Sequence, residues 1–171
     1  MIIKIIGSLI IVGSTTIAGF ILGDIVKGRF DQLMELQKAI NIIKNEIIYS
    51  FDVLENILLT TSKHVKGPVS EIFRRASEII YAKEVDSVKE AFDKALEDVN
   101  HNLNKDDIEV IRTMATSIGN FDVNGESELL NLTLINIERQ LKESEELKNK
   151  NLKMYRSLGV CIGLIIVIFI F

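Results

Sequence analysis

Charged residues are kept out of both ends of this chain, and this separation limits the fold more than any other feature. Residues 1–23 and 158–171 carry one charged side chain between them, Lys4. Residues 24–157 carry all the others, 19 basic and 24 acidic. Long uncharged apolar stretches are typical of helices that cross a membrane. The pattern therefore predicts a charged middle segment between two membrane helices.

The N-terminal apolar stretch, Ile5–Leu22, is 18 residues long and uncharged. Backbone groups in lipid must bond internally, so this stretch is predicted to cross the membrane as a helix. Thr15, Gly19 and Gly23 recur at four-residue steps. Such small residues let a second helix pack closely, although they are also common in membrane helices generally. A cleaved signal peptide, with Thr16-Ile-Ala18 as its cleavage site, is the alternative interpretation.

The C-terminal apolar stretch, Leu158–Phe171, has 14 residues and would reach about 21 Å as a helix, less than a hydrocarbon core of about 30 Å. Met154 and Tyr155 lengthen it, and Arg156 can extend back to the headgroups, so a second span is predicted. The predicted domains are an N-terminal membrane helix at 1–26, a middle domain at 27–153 and a C-terminal membrane helix at 154–171.

Basic residues flank both predicted spans on the side of the middle domain. They are Lys27, Arg29, Lys148, Lys150, Lys153 and Arg156. The outer ends offer only Lys4 and the terminal amine. Because positive flanks stay in the cytoplasm, we expect a cytoplasmic middle domain with both termini on the other side of the membrane.

The middle segment shows helical rather than strand periodicity. One apolar stripe predicts a single long helix that leaves the membrane anchor and is broken only at Lys63–Gly67. The residues of this stripe are Leu33, Leu36, Ile40, Ile43, Ile47 and Leu54. Pro68 then marks the start of the next helix, and Ser87 and Asn104 are predicted N-caps of two more.

A last helix is predicted from Leu130, Leu134, Ile137 and Leu141, after turns at Gly119 and Asn124-Gly125. The predicted fold class is therefore all-α. It is a helical bundle of about five helices, and its first and last helices continue into the membrane segments.

The sequence contains no pattern that indicates catalysis. It has no glycine-rich phosphate loop, nucleophile elbow or metal-spaced set of histidines and cysteines. His64 and His101 fall at predicted loop edges, and the one cysteine, Cys161, lies in an apolar run. The net charge of −5 over residues 24–157 is a poor match for nucleic acid. We expect a non-enzymatic chain without metal, cofactor or small-molecule substrate that binds other proteins at a membrane.

Three segments resemble the stage III sporulation protein AB family. The first runs from Lys4-Ile-Ile-Gly7-Ser8 through Thr15-Thr16-Ile-Ala-Gly19-Phe20. The second is Leu36-Gln-Lys-Ala-Ile40 followed by Asn45-Glu46-Ile-Ile-Tyr49. The third is Lys153-Met-Tyr155-Arg156-Ser157-Leu158-Gly159-Val160, directly before the terminal apolar run. Chain length and the apolar segment at each end are similar as well.

The resemblance implies a non-enzymatic membrane platform in the channel that links mother cell and forespore, similar to the inner-membrane platforms of type II secretion and type IV pilus machines. It implies a place in the mother-cell membrane surrounding the forespore, with the middle domain in the mother-cell cytoplasm. The implied partners are the companion secretion-type ATPase and the ring-forming channel proteins of this apparatus.

Five residues are candidates for partner contacts. Glu46, Tyr49 and Asp52 recur at three-residue steps and are predicted to form a polar docking strip on one side of the first long helix. A solvated helix face is the alternative explanation. Tyr155 and Arg156 lie where the last helix meets the headgroups, and interfacial anchoring is the alternative there.

A membrane-anchored extracytoplasmic sensor is the alternative function, because paired membrane helices also flank the helical bundles of many receptors. That function requires the bundle to lie outside the cytoplasm, contrary to the basic flanks.

Overall fold

A computed structural model describes the backbone of residues 2–50, 52–118 and 123–170. It describes the side chains of residues 7–50, 52–118 and 128–169, apart from 152, 153, 156, 159 and 160. Within this part of the chain there are six α-helices and no strand. They are α1 Ile2–Tyr49, α2 Leu54–His64, α3 Gly67–Tyr81, α4 Val88–Asp98, α5 Lys105–Ser117 and α6 Val123–Ile170. The predicted all-α class is confirmed, with one helix more than the predicted five.

The chain divides into two compact units. The apolar unit consists of Met1–Phe30 and Glu143–Phe171, and the bundle unit consists of Asp31–Lys142. The limits of the predicted membrane segments, at 26/27 and 153/154, stay predictions.

The core of the bundle unit is formed by the apolar stripes of its helices. From α1, Leu33, Leu36, Ile40 and Ile43 are fully buried, as their spacing predicts. The rings of Phe73 in α3 and Phe92 in α4 meet edge to face, with centroids 5.2 Å apart and planes at 81°. This geometry is favourable for aromatic pairs. Every core residue that the structure describes belongs to the bundle unit.

The prediction of one continuous helix to Lys63 is wrong, because α1 ends at Tyr49 and α2 begins at Leu54. Asp52 Oδ1 accepts a hydrogen bond from the Val53 amide at 2.8 Å and another from Asn56 Nδ2 at 2.9 Å. Such local bonds from a short acidic side chain compete with helical backbone bonds. This break is the source of the sixth helix.

The other helix ends follow the sequence signals more closely. The Asn104 side chain accepts from the Asp107 amide at 2.8 Å, and the Asp107 carboxylate accepts from the Asn104 amide at 2.9 Å. The Ser87 hydroxyl accepts from the Glu90 amide at 3.2 Å, and Pro68 lies in the first turn of α3. These ends confirm the predicted caps.

The turn predicted before α6 is wrong at Asn124-Gly125, since α6 already begins at Val123. Glycine is less costly in a first turn, whose amides lack intrahelical partners, than in a helix interior. Gly119 lies outside the described residues.

Three polar residues of α1 form hydrogen bonds with backbone groups at the connections between the other helices of the bundle unit. Gln32 Oε1 accepts from the Asn102 amide at 2.9 Å, between α4 and α5. Glu35 Oε2 accepts from the Lys66 amide at 3.0 Å, between α2 and α3, and Lys38 Nζ donates to the carbonyl of His64. These three residues are spaced by three and therefore lie on one face of α1. That face positions both the α2–α3 and the α4–α5 connection.

Candidate partner-binding surface

In the structure, only two of the three residues of the predicted docking strip lie on α1. Tyr49 is the last residue of α1 and is 80% exposed, and Glu46 lies half-buried one turn earlier. Asp52 is exposed but lies beyond α1, where its carboxylate orders the start of α2. The three residues therefore do not share one face of α1, and Asp52 has a structural role of its own. Their part in binding stays a prediction.

A second tyrosine that the sequence did not single out lies at the same end of the bundle unit. The Ser77 hydroxyl of α3 donates to the Glu55 carbonyl of α2 at 2.7 Å, which sets the last turns of α3 beside the first turn of α2. Tyr81 lies one turn beyond Ser77 and is 78% exposed, and Val53, just before α2, is 53% exposed. We call Tyr49, Val53 and Tyr81 the tip surface.

The end of α3 is fixed by backbone geometry directly after Tyr81. Lys83 has φ +54° in the left-handed region, its amide donates to the Ile80 carbonyl, and the Glu84 amide donates to Ile79. These two bonds form a Schellman motif, which usually has glycine at the left-handed position. The motif stops α3 with Tyr81 in its last turn and leaves that ring in solvent.

Ion pairs at the surface connect neighbouring helices of the bundle unit. Arg75 Nε of α3 lies 2.8 Å from Asp98 Oδ2 of α4, and this hydrogen bond raises the pKa of Arg75. Arg112 Nε of α5 lies 2.6 Å from Asp93 Oδ1 of α4 and likewise has a raised pKa. Exposed pairs of this kind contribute little to stability. They tie α4 to α3 on one side and to α5 on the other.

The residues considered for chemistry are dispersed. His64 is exposed at the end of α2 with Nδ1 2.9 Å from the Thr60 carbonyl, and His101 is half-buried in the link before α5. Among the residues that the structure describes, no group of three or more His, Cys, Asp or Glu side chains could hold a metal ion. Cys161 is exposed on α6.

Within the apolar unit, the first helix contacts the last. A Cβ atom added to Gly163 of α6 would lie 3.0 Å from Val12 Cα and closer still to Thr15 Oγ1. Such contacts leave no room for a side chain. Gly19 and Gly23 are buried and Thr15 is half-buried. Gly163 is therefore a packing residue that the sequence analysis missed, although a glycine in a run of large apolar residues was a usable signal.

The remaining predicted residues lie on α6. Tyr155 is half-buried, and the side chain of Arg156 lies outside the described part. Close by, the Lys148 ammonium lies 3.3 Å from the centroid of the Phe30 ring, a cation–π contact between the two helices of the apolar unit.

One α1 segment, Gly7–Tyr49, is long and apolar enough to cross a membrane. Its most apolar 18-residue window has a mean hydropathy of 2.0, and 11% of that window is buried. A core helix of a soluble protein would be mostly buried, whereas an N-terminal signal sequence would meet the same criteria. The second predicted span, at the end of α6, stays a prediction.

Comparison with known proteins decides the family. The sequence profile described as Stage III sporulation protein AB matches residues 4–171. The chain belongs to the stage III sporulation protein AB family. A relative in this family, Stage III sporulation protein AB of Bacillus subtilis (strain 168), is 29% identical over 168 residues, which cover 97% of this chain and 98% of that protein. Membership in the family gives the chain a role in sporulation.

A solved structure of a Stage III sporulation protein AB has the same fold. It aligns with a TM-score of 0.64 at 24% identity and covers 72% of this chain and 98% of its own. At this identity the likeness is one of fold alone. The predicted family is confirmed by the profile match over residues 4–171.

Proposed function

We propose that this chain is a non-enzymatic membrane platform of the sporulation channel between mother cell and forespore. In this role it anchors in the mother-cell membrane around the forespore, with its bundle unit in the mother-cell cytoplasm. There it docks the companion secretion-type ATPase and the ring-forming channel proteins of the apparatus.

The division of the chain into two units is the main support for this proposal. The apolar unit turns large side chains outward at high exposure, including Leu9 at 73%, Ile168 at 74% and Phe169 at 88%. Exposing such apolar surfaces to water is unfavourable in free energy, whereas contact with lipid is not. The bundle unit has its own buried core. One part of the chain thus suits a bilayer, and the other is a separate folded body available to partners.

The tip surface is the proposed docking site on the bundle unit. Tyrosine is enriched in protein interfaces because it combines a large apolar ring with a polar end at low entropic cost. Tyr49 and Tyr81 are the only tyrosines of the bundle unit, and both are about four-fifths exposed. Neither contributes to the buried core, so their exposure is consistent with a role in binding.

A capture experiment with the full-length chain in detergent tests this function. Immobilised wild-type chain is expected to retain the ATPase or a ring-forming channel protein. The double variant Tyr49→Ala, Tyr81→Ala is expected to bind about tenfold or more weakly, since buried interface tyrosines each contribute about 1–2 kcal/mol. Affinity is measured by titrating each partner over the immobilised chain.

The matched control is Leu132→Ala, Ile135→Ala, which removes two exposed apolar side chains from α6. This control is expected to bind like wild type. If only the control variant lost binding, the docking site would lie on α6 instead of the tip surface. Failure of the wild-type chain to retain either partner, directly or through other channel proteins, would contradict the platform function.

A further inference from the structure

Two contacts fix the register of the two helices in the apolar unit. Gly163 packs against Thr15, and Lys148 lies over Phe30. Moving 15 residues forward along α1, from Thr15 to Phe30, therefore moves 15 residues back along α6, from Gly163 to Lys148. The two helices are therefore antiparallel, and their register is the same at both contacts. Each level of α1 can consequently be matched to a level of α6.

In this register the basic residues of both helices fall at one level. Lys150 is level with Gly28, and Arg156 is level with Leu22. Residues 22–30 and 148–156 thus form a layer about 12 Å tall, at 1.5 Å per residue. We call its six basic residues the basic belt: Lys27, Arg29, Lys148, Lys150, Lys153 and Arg156. The one acidic residue in the layer is Asp24.

The surface next to the basic belt is apolar. Ile21 is 55% exposed on α1, and Leu158 and Ile162 are 45% and 47% exposed on α6. A partner for this part of the molecule must offer an apolar phase directly beside a layer of negative charge. A bilayer of anionic phospholipids has this arrangement, with phosphates bordering the hydrocarbon. The headgroup region on each side of the hydrocarbon is about 5–8 Å thick, so a belt about 12 Å tall extends across it.

The charge of the belt contrasts with that of the bundle unit. Residues 31–142 contain 13 basic and 20 acidic residues, whereas the apolar unit contains 7 basic and 4 acidic ones. Attraction to anionic lipid is therefore concentrated in the belt. Two of the belt lysines, Lys27 and Lys150, have exposed side chains. Lys148 is held on the Phe30 ring, which keeps its charge at the same level.

We propose that the basic belt binds the headgroups of anionic phospholipids and selects them from the surrounding bilayer. The proposal rests on the membrane placement in the proposed function. Each basic residue at an anionic surface favours binding by about fivefold. The belt thus defines a lipid-binding site at the junction of the apolar unit and the cytoplasm.

Spin-labelled lipids test this proposal with the full-length chain in phosphatidylcholine vesicles. Labelled phosphatidylglycerol is expected to associate with the wild-type chain at least about fivefold more strongly than labelled phosphatidylcholine. The triple variant Lys27→Gln, Lys150→Gln, Lys153→Gln is expected to lose most of this preference. A charge-matched control, Lys83→Gln, Lys89→Gln, Lys94→Gln, alters exposed lysines of the bundle unit and is expected to keep it.

Salt provides a second readout that needs no variant. Sodium chloride at 1 M shortens the screening length to about 3 Å and is expected to reduce the wild-type preference. Equal association of both lipids with a membrane-inserted wild-type chain would overturn the lipid site and leave the platform function standing. Absence of any lipid immobilised by the chain would overturn the membrane placement as well. A triple variant that keeps its lipid preference but loses the ring-forming proteins would assign the belt to protein binding instead.

Discussion

An aspartate in place of Ile43 is expected to unfold the bundle unit. Ile43 is fully buried in the stripe that α1 contributes to the core. The substitution removes a large apolar side chain and places an unpaired carboxylate among apolar neighbours. We expect a loss of about 4 kcal/mol or more in the free energy of unfolding, a large part of the total for a domain of this size. A loss this large lowers the melting temperature by more than about 15 °C.

Thermal melting of residues 31–142, followed by circular dichroism, measures this effect. Two control variants separate burial from other causes. Ile43→Val keeps the site apolar and is expected to cost about 0.5–1.5 kcal/mol. Met34→Asp introduces the same charge on the same helix at a side chain that is 49% exposed, and is expected to change stability by no more than about 0.5 kcal/mol. Wild-type melting of Ile43→Asp would show that the stripe faces water and would contradict its place in the core of the bundle unit.

A leucine at Gly163 is expected to separate the two helices of the apolar unit. The backbone of Val12 and the Thr15 hydroxyl occupy the space that a side chain at this position requires. Overpacking of this kind costs about 1–3 kcal/mol, which is relieved when the helices move apart. The contact between Lys148 and Phe30 depends on the same register, so its loss is expected to follow.

Spin labels at Cys161 and at an Ile17→Cys variant measure the separation of the helices. Both positions are exposed, and the register places them at one level of the apolar unit. Labels on packed helices, whose axes lie about 8–10 Å apart, broaden each other's spectra. Gly163→Leu is expected to reduce this broadening. In the control, Gly13→Leu, an added Cβ meets nothing within 4 Å, so the broadening is expected to persist. Unchanged spectra for Gly163→Leu would show that the helices do not pack through this glycine.

Periodicity and capping residues predicted most of the bundle. Helices with continuous stripes, such as the α1 stripe through Ile43, were predicted with their buried faces, because burial of an apolar face dominates helix stability. Asn104 and Ser87 marked helix starts because their side chains bond to backbone amides that otherwise lack partners. These signals are local, and the sequence contains them in full.

The missed features depend on tertiary contacts or on local bonds without a common signature. The break after Tyr49 contains neither glycine nor proline and is ordered by the Asp52 carboxylate. Tyr81 joins the tip surface only because Ser77 ties α3 to α2. The role of Gly163 depends on which residues of another helix lie opposite. Spacing along the sequence therefore grouped Glu46, Tyr49 and Asp52 on one helix, whereas the structure separates Asp52 from that helix and brings Tyr81 to the same end of the bundle unit.

Extraction of the full-length chain from cell membranes tests the central claim most directly. If the apolar unit lies in a bilayer and leaves the bundle unit to bind partners, the chain remains in the membrane pellet after an alkaline carbonate wash and is released by detergent. Recovery of the intact chain in the aqueous fraction without detergent would contradict both the membrane anchor and the platform function built on it.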